Sequence, residues 1–265
     1  MGRQDAQPRQ RTNPCRHGGL VLTTQPPKLP QVGGATGQTE QMAALVHLVR
    51  HAEVDNPQHL VYGSMPGFGL SPHGLEQARR VGRYLGPRPV VAIWSSPLER
   101  SLRSAEEIAA RSGVPVHVDE DLIEWSISDR WKGHPWGSLP EVFPGELEAY
   151  LEHPDQLDFA DENLGDLADR VAHVARRLDE DHPHGDVVIV SHQDPIQAGR
   201  LQLVGSPLSE FHNDKPGNGA IITLRPGSVW REEAIWHPGD SPRFGEKSDL
   251  RVVTAGDGPT HPTSA

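Results

Sequence analysis

Cysteine is almost missing from this chain: Cys15 is the only one in 265 residues. A disulfide scaffold and a cysteine-based zinc cluster are thereby excluded. Long apolar runs are missing too. Stretches such as Ala43-Ala44-Leu45-Val46 and Val187-Val188-Ile189-Val190 fall far short of the ~20 residues of a membrane span. Basic residues are in deficit, with 25 Lys and Arg against 36 Asp and Glu and a net charge of −11 at pH 7. That balance argues against a protein that coats nucleic acid or an anionic membrane. Neither is expected as a partner, and a cytoplasmic location is expected. Aromatic residues make up only 5%. What the chain does have is length enough for a substantial core and 15 histidines.

The charge is unevenly spread. Residues 1–41 hold five Lys or Arg and two Asp or Glu, a net of +3, which leaves −14 for the rest. The same stretch has 11 Gly or Pro and no Phe, Trp, Tyr or Ile. Such a segment cannot bury enough apolar surface to offset its ordering entropy, so a disordered leader is expected. Leu20-Val21-Leu22 is too short for the apolar core of a signal peptide. Met42 stands directly ahead of the first strand-like run and is a candidate start, the alternative being an ordinary disordered tail. Past residue 237 Pro and Gly return, and a flexible tail is expected over 238–265. The body is then one domain over 42–237, with no internal repeat.

Within the body, strands alternate with helices. Leu45 to Val49, Val90 to Trp94, Val114 to Val118 and Asp186 to Val190 read as strands. Ser71-Pro72 is a helix start, an N-cap hydroxyl followed by Pro at the first helical position. Leu75, Ala78, Val81 and Leu85 would form that helix's inner face. A second helix opens at Pro97, with Leu98, Leu102, Ala105, Ile108 and Ala109 inward, and Gly113 ends it. A long helix is expected over Glu162 to Asp181 and another over Pro195 to Val204. Residues 125–160 read as irregular, with part of Glu146 to Leu151 helical. Ala220 to Leu224 and Val229 to Trp236 pair as a hairpin across Pro226-Gly227. The pattern implies an α/β three-layer sandwich, with a mostly parallel central sheet and helices on both faces. In such sheets ligands sit at the carboxyl ends of the strands. Three strands here end in polar pairs: Arg50-His51, Ser95-Ser96 and Ser191-His192.

Leu48-Val49-Arg50-His51-Ala52-Glu53 resembles the nucleophile motif of the histidine phosphatase superfamily, the phosphoglycerate-mutase-like enzymes. Four further segments resemble that family's motifs in the family's order. They are Leu70-Ser71-Pro72-His73-Gly74-Leu75-Glu76-Gln77-Ala78, Ser95-Ser96-Pro97-Leu98-Glu99-Arg100, Leu122-Ile123-Glu124 with Trp131-Lys132-Gly133, and Val188-Ile189-Val190-Ser191-His192. The resemblance implies the phosphoglycerate-mutase-like fold and a phosphatase. His51 would be the nucleophile, Arg50, Arg100 and His192 would hold phosphate, and Glu124 would be the proton donor.

The residue types suit that chemistry. Phosphoryl transfer needs a nucleophile, positive charge for the equatorial oxygens and a proton for the leaving oxygen. A neutral imidazole can be the nucleophile, guanidinium forks match phosphate oxygens, and a carboxyl group can supply the proton. No metal and no cofactor is expected, because the Arg and His residues already supply the charge. The sequence departs from the family pattern in places. Ala52 replaces a usual Gly. The phosphate-contacting Asn usual six residues after the nucleophile is Pro57 here, with Asn56 one position early. Asp161-Glu162-Asn163 stands where the family has Gly-Glu-Ser. Asn56 and Glu162 are thus further candidates for contacting phosphate or supporting the site. Gln193 and Asp194 would shape the pocket.

Competing patterns are weaker. His47 and His51 have a helical metal-ligand spacing but lie on a strand. No Walker loop is present, and Cys15 lacks the Arg of a cysteine phosphatase. Asp119-Glu120-Asp121 lacks the context of an aspartyl phosphatase. The separation from Glu124 to Glu162 is too short for the long insertion of a glycolytic mutase, which favours a compact phosphatase acting on a small phosphorylated metabolite. A phosphoglycerate-type mutase and a non-catalytic phospholigand-binding module are the alternatives. Trp125, Trp131 and Trp136, together with Val61 to Phe68, are expected either to line the substrate or to pack the core. A monomer or a homodimer is expected.

Overall fold

The computed structural model describes residues 44–239. The expected leader over 1–41, the candidate start at Met42 and nearly all of the expected tail lie outside the described residues. Six strands form one sheet: β1 (Val46–Arg50), β2 (Val90–Ser95), β3 (Val116–Val118), β4 (Asp186–Ser191), β5 (Ile221–Arg225) and β6 (Arg231–Trp236). Their order is β3-β2-β4-β1-β5-β6. Neighbours from β3 to β1 run parallel, β5 is antiparallel to β1, and β5 and β6 form the expected antiparallel hairpin.

The central strands are continuous apolar runs because both faces are covered. The side-chain period of two sorts each strand between two cores. On one face, Val49, Ile93, Val188, Val190 and Ile221 pack against Val81 and Leu85 of α1 (Pro72–Leu85) and Ala105 and Ile108 of α2 (Glu99–Ser112). On the other, Val46, Leu48, Val187, Ile189 and Ile222 meet Ala172, Ala175 and Leu178 of α6 (Leu164–Asp181) and Ile196 and Leu203 of α7 (Gln193–Val204). This is the expected three-layer arrangement. Buried His47 spans three strands as a polar pin. Its Nδ1 lies 3.0 Å from Thr223 Oγ1 and its Nε2 lies 3.1 Å from Asp186 Oδ2.

Residues 125–160 are more ordered than their sequence suggests. Three short helices, α3 (Ile127–Arg130), α4 (Leu139–Val142) and α5 (Glu146–Glu152), enclose a third core. Trp125 and Trp131 are buried in it, against Tyr150 and Phe211 or Phe159. These two tryptophans are core residues, whereas Trp136 is exposed. The expected inner face of α2 is also corrected. Ala105 and Ile108 face inward, but in the first two turns Arg100, Ser101 and Ser104 are buried while Leu98 and Leu102 are only partly covered. The long helix begins at Leu164, not Glu162, because Asn163 caps it by accepting from Asp166 N at 2.9 Å.

Register decides what the fold offers chemically. Arg50 is level with Ser191, and Ser95 with Val190. His51, His192 and Ser96 therefore leave the sheet side by side at its carboxyl edge. The start of α1 clamps the chain just past that edge. Ser71 Oγ accepts from Gly74 N at 2.9 Å and donates to Glu53 Oε1 at 2.6 Å, and Ser71 N donates to Glu53 O at 3.0 Å. A Cβ on Gly74 would lie 1.9 Å from that same Glu53 carbonyl oxygen. Gly74→Ala is therefore expected to destabilise the fold by about 1–3 kcal/mol. Urea unfolding monitored by tryptophan fluorescence checks this; an unchanged midpoint contradicts the close approach.

Candidate active site

His51 is buried at the end of β1. Its Nδ1 lies 2.8 Å from the carbonyl oxygen of Ala52. A carbonyl only accepts, so in the neutral ring Nδ1 carries the proton and Nε2 carries the free lone pair. The ring stays neutral because its pKa is held well below the ordinary histidine value, first by burial and then by the charges of Arg100 and Arg50. The backbone around it is fixed from several sides. Ala52 N donates to Ser104 Oγ at 3.0 Å, Glu53 N donates to Gln77 Oε1 at 3.0 Å, and Asn218 Nδ2 donates to His51 O at 3.3 Å. Ala52 in place of Gly is tolerated, since positive φ among the non-glycine residues described occurs only at His59 and Asp214.

The His192 ring faces His51 with centroids 5.2 Å apart, edge-on. Its Nδ1 accepts from Arg100 Nε at 3.2 Å, and its Nε2 lies 2.7 Å from Ser96 Oγ. Arginine only donates, so the proton of this neutral ring sits on Nε2. Burial, then Arg100 and His51, hold the pKa of His192 well below its ordinary value. Arg100 is itself buried, donates to Gly63 O at 2.9 Å through Nη2, and lies over the Tyr62 ring at 4.7 Å. Arg50 donates to Pro216 O at 2.9 Å through Nη1. Its Nε is buried and makes no hydrogen bond among the described residues. The two guanidiniums bias this pocket toward an anion, with donors that fit tetrahedral oxygens.

Glu124 completes the group, with Oε2 lying 3.9 Å from His192 Nδ1. Its Oε1 accepts from Trp125 N at 2.9 Å. Burial, then the negative charge of Asp194, raise its pKa to about 7 against the pull of Arg100 and Arg50. Near neutrality it can therefore both give and take a proton. Its loop is tied down from behind. Ser191 Oγ donates to Leu122 O at 2.7 Å, and Arg170 donates to Asp121 O and Ile123 O at 2.7 and 2.9 Å.

The fold thus brings Arg50, His51, Arg100, Glu124 and His192 together. Glu162 stands one layer back: its carboxylate accepts from Arg170 Nε and Nη2 at 2.6 and 3.1 Å. It supports the loop of Glu124 through that guanidinium. Asn56 is occupied elsewhere, donating to Leu60 O at 2.9 Å and accepting from Leu60 N at 3.1 Å. In this structure its amide braces a loop. Tyr62, within the expected Val61 to Phe68 run, lies against Arg100. Sequence reasoning missed Arg170, Tyr150 and Lys215, because nothing local marks a lysine or a tyrosine that becomes buried by tertiary packing.

Comparison with known proteins shows the family. A sequence model of the histidine phosphatase superfamily (branch 1) matches residues 46–231. An uncharacterised protein of Mycobacterium tuberculosis is 35% identical over 186 residues, 68% of this chain and 87% of the relative. Phosphoserine phosphatase 1 of Hydrogenobacter thermophilus is 31% identical over 166 residues, 62% of this chain and 78% of the relative. The solved structure of a mycobacterial glucosyl-3-phosphoglycerate phosphatase complexed with VO3 superposes with a TM-score of 0.65 at 27% identity, covering 74% of this chain and 99% of that one. With the strand-end residues, their geometry and these matches in place, the chain belongs to branch 1 of the histidine phosphatase superfamily.

Proposed function

We propose that this chain is a phosphomonoesterase that hydrolyses a small phosphorylated metabolite through a covalent phosphohistidine on His51. The observation that carries the reading is the orientation of His51, whose protonated Nδ1 is bound to Ala52 O and whose Nε2 is left as the nucleophile. The names of the phosphoserine and glucosyl-3-phosphoglycerate phosphatases among its relatives support the substrate class. Residues 42–237 carry the activity.

In the first step His51 Nε2 attacks phosphorus and the ester P–O bond breaks. Glu124 gives its proton to the departing alkoxide. Arg50 and Arg100 hold the phosphoryl oxygens, and His192, facing the nucleophile, gives a further donor once the negative charge of the bound phosphoryl group favours a second proton on its ring, at Nδ1. In the second step water attacks the phosphohistidine and the N–P bond breaks. Glu124, now a carboxylate, takes the water proton, and inorganic phosphate leaves with neutral His51 restored. No step calls for a metal ion, because fixed positive charge stabilises the developing negative charge. Glu162 holds the loop of Glu124 through Arg170, and Asn56 holds the 56–60 loop.

Two outcomes are expected. Hydrolysis of p-nitrophenyl phosphate persists in EDTA, falls below detection in His51→Ala, and drops about 10²–10³-fold in Arg100→Ala. Loss of wild-type activity to a chelator contradicts the metal-free mechanism, and phosphoryl exchange between phosphoglycerates faster than phosphate release identifies a mutase instead. For an alkyl phosphate, whose leaving group needs the proton, kcat/KM falls as pH rises through about 7, where Glu124 loses it. Glu124→Gln removes that alkaline limb and lowers the plateau. A limb that survives the substitution assigns the acid to another group.

A further inference from the structure

A buried cluster beside the site has no part in the steps above. Tyr150 on α5, Asp194 in the first turn of α7 and Lys215 in the segment before β5 converge on one point. Lys215 Nζ donates to Asp194 Oδ1 at 2.7 Å and to Tyr150 Oη at 2.8 Å, and Tyr150 Oη donates to Asp194 Oδ2 at 3.0 Å. The ammonium also lies 3.9 Å from the Phe211 ring centroid and 5.0 Å from that of Tyr150. Only 3% of the Lys215 side chain and 11% of the Asp194 side chain reach solvent. Burying an ion pair is costly, and its net contribution to stability is often near zero or negative. Packing alone gives no reason for a lysine here.

The cluster is joined to the acid through the neighbours of both. Asp194 is two residues from His192, whose Nδ1 is 3.9 Å from Glu124 Oε2. Pro216, next to Lys215, receives hydrogen bonds from Arg50 and Gln193. Trp125, next to Glu124, lies 6.0 Å from the Tyr150 ring and 5.7 Å from that of Phe211. We propose that this cluster is a positioning element for the acid: the carboxylate of Asp194 keeps the proton on Glu124, and the ammonium of Lys215 limits that effect. The proposal rests on Glu124 being the proton donor.

The other groups acting on Glu124 are known. Arg50 from β1 and Arg100 from α2 favour its ionised form, as does the Trp125 N–H, while burial opposes it. His192 and His51 are held neutral, and the Tyr62 and Tyr150 phenols keep their protons because burial raises both. Arg170 reaches only the backbone of this loop. Among these groups Asp194 is the negative charge that acts most on Glu124, and it strengthens proton binding. Lys215 is a third cation, partly cancelled by its partner.

The test is the alkaline limb of kcat/KM for an alkyl phosphate. Asp194→Asn moves the limb down by about one pH unit, and Lys215→Met moves it up by a similar amount. A shift of that size changes kcat/KM about tenfold on the falling limb. A purely structural cluster would lower activity in both variants without moving their limbs in opposite directions. Should Asp194→Asn fail to fold, the upward shift in Lys215→Met carries the test alone. Shifts in one direction, or no shift, overturn the proposal. So does a raised KM in Lys215→Met with the limb in place, which assigns the lysine to the substrate. Glu124→Gln separates the two levels: a limb it abolishes but the cluster variants leave unmoved refutes the cluster's role only. A limb that survives Glu124→Gln refutes the acid assignment itself, and the cluster's role with it.

Discussion

The hydrogen bond between His51 Nδ1 and the carbonyl of Ala52 is the interaction on which the rest of the site depends. It spans one residue, so it is only as reliable as the backbone from 51 to 53. That backbone is clamped by Ser104, Gln77, Ser71 and Asn218, which come from two helices and the approach to β5. The Ser-Pro-His-Gly-Leu-Glu-Gln-Ala segment gains a physical meaning from this. Ser71 and Gln77 hold Glu53, and Gly74 is small because the Glu53 carbonyl occupies the place of its side chain. A segment that looks like a helix start is also the clamp of the nucleophile.

The second constraint is charge. Two guanidiniums are packed beside two imidazoles in a pocket that water reaches poorly, and burial disfavours charge on all four. A buried donor without a partner costs about 1–3 kcal/mol, and Arg50 Nε is one. A bound phosphoryl group supplies the acceptors and the negative charge that this arrangement favours. Burial, and after it the same cations, keep His51 unprotonated, so one set of residues holds the electrophile and helps to free the lone pair that attacks it. Glu124 escapes their pull because burial and Asp194 outweigh it. Two neighbouring groups are thereby driven apart in function: His51 towards a base-like nucleophile and Glu124 towards an acid.

Much of this was readable in the chain itself, for reasons that differ by element. The parallel strands stood out because both of their faces are buried, which forces unbroken apolar runs such as Val187 to Val190. Their polar ends stood out because the register puts His51, Ser96 and His192 at one edge. Hydrophobic periodicity failed where the site itself is buried. On α2 it selected Leu98 and Leu102, while Arg100, Ser101 and Ser104 take the inner face to serve the pocket. The Trp-rich stretch read as irregular because its helices are short and are held by packing around Trp125 and Trp131 rather than by their own periodicity. Asn56 shows the limit of spacing arguments, since its amide is satisfied within four residues. Lys215 left no local trace at all: only the meeting of α5, α7 and the approach to β5 makes it a buried partner of Asp194.

The central claim is that the phosphoryl group passes through Nε2 of His51, and the intermediate can be caught directly. Rapid mixing with a phosphomonoester, quenching in base and peptide mass spectrometry should find one phosphoryl group per chain. It should sit on His51, with the NMR signature of an Nε2-linked phosphohistidine. A phosphoryl group on Nδ1 of His51, on His192 or on a serine would contradict the account, as would inversion at phosphorus, which marks direct attack by water.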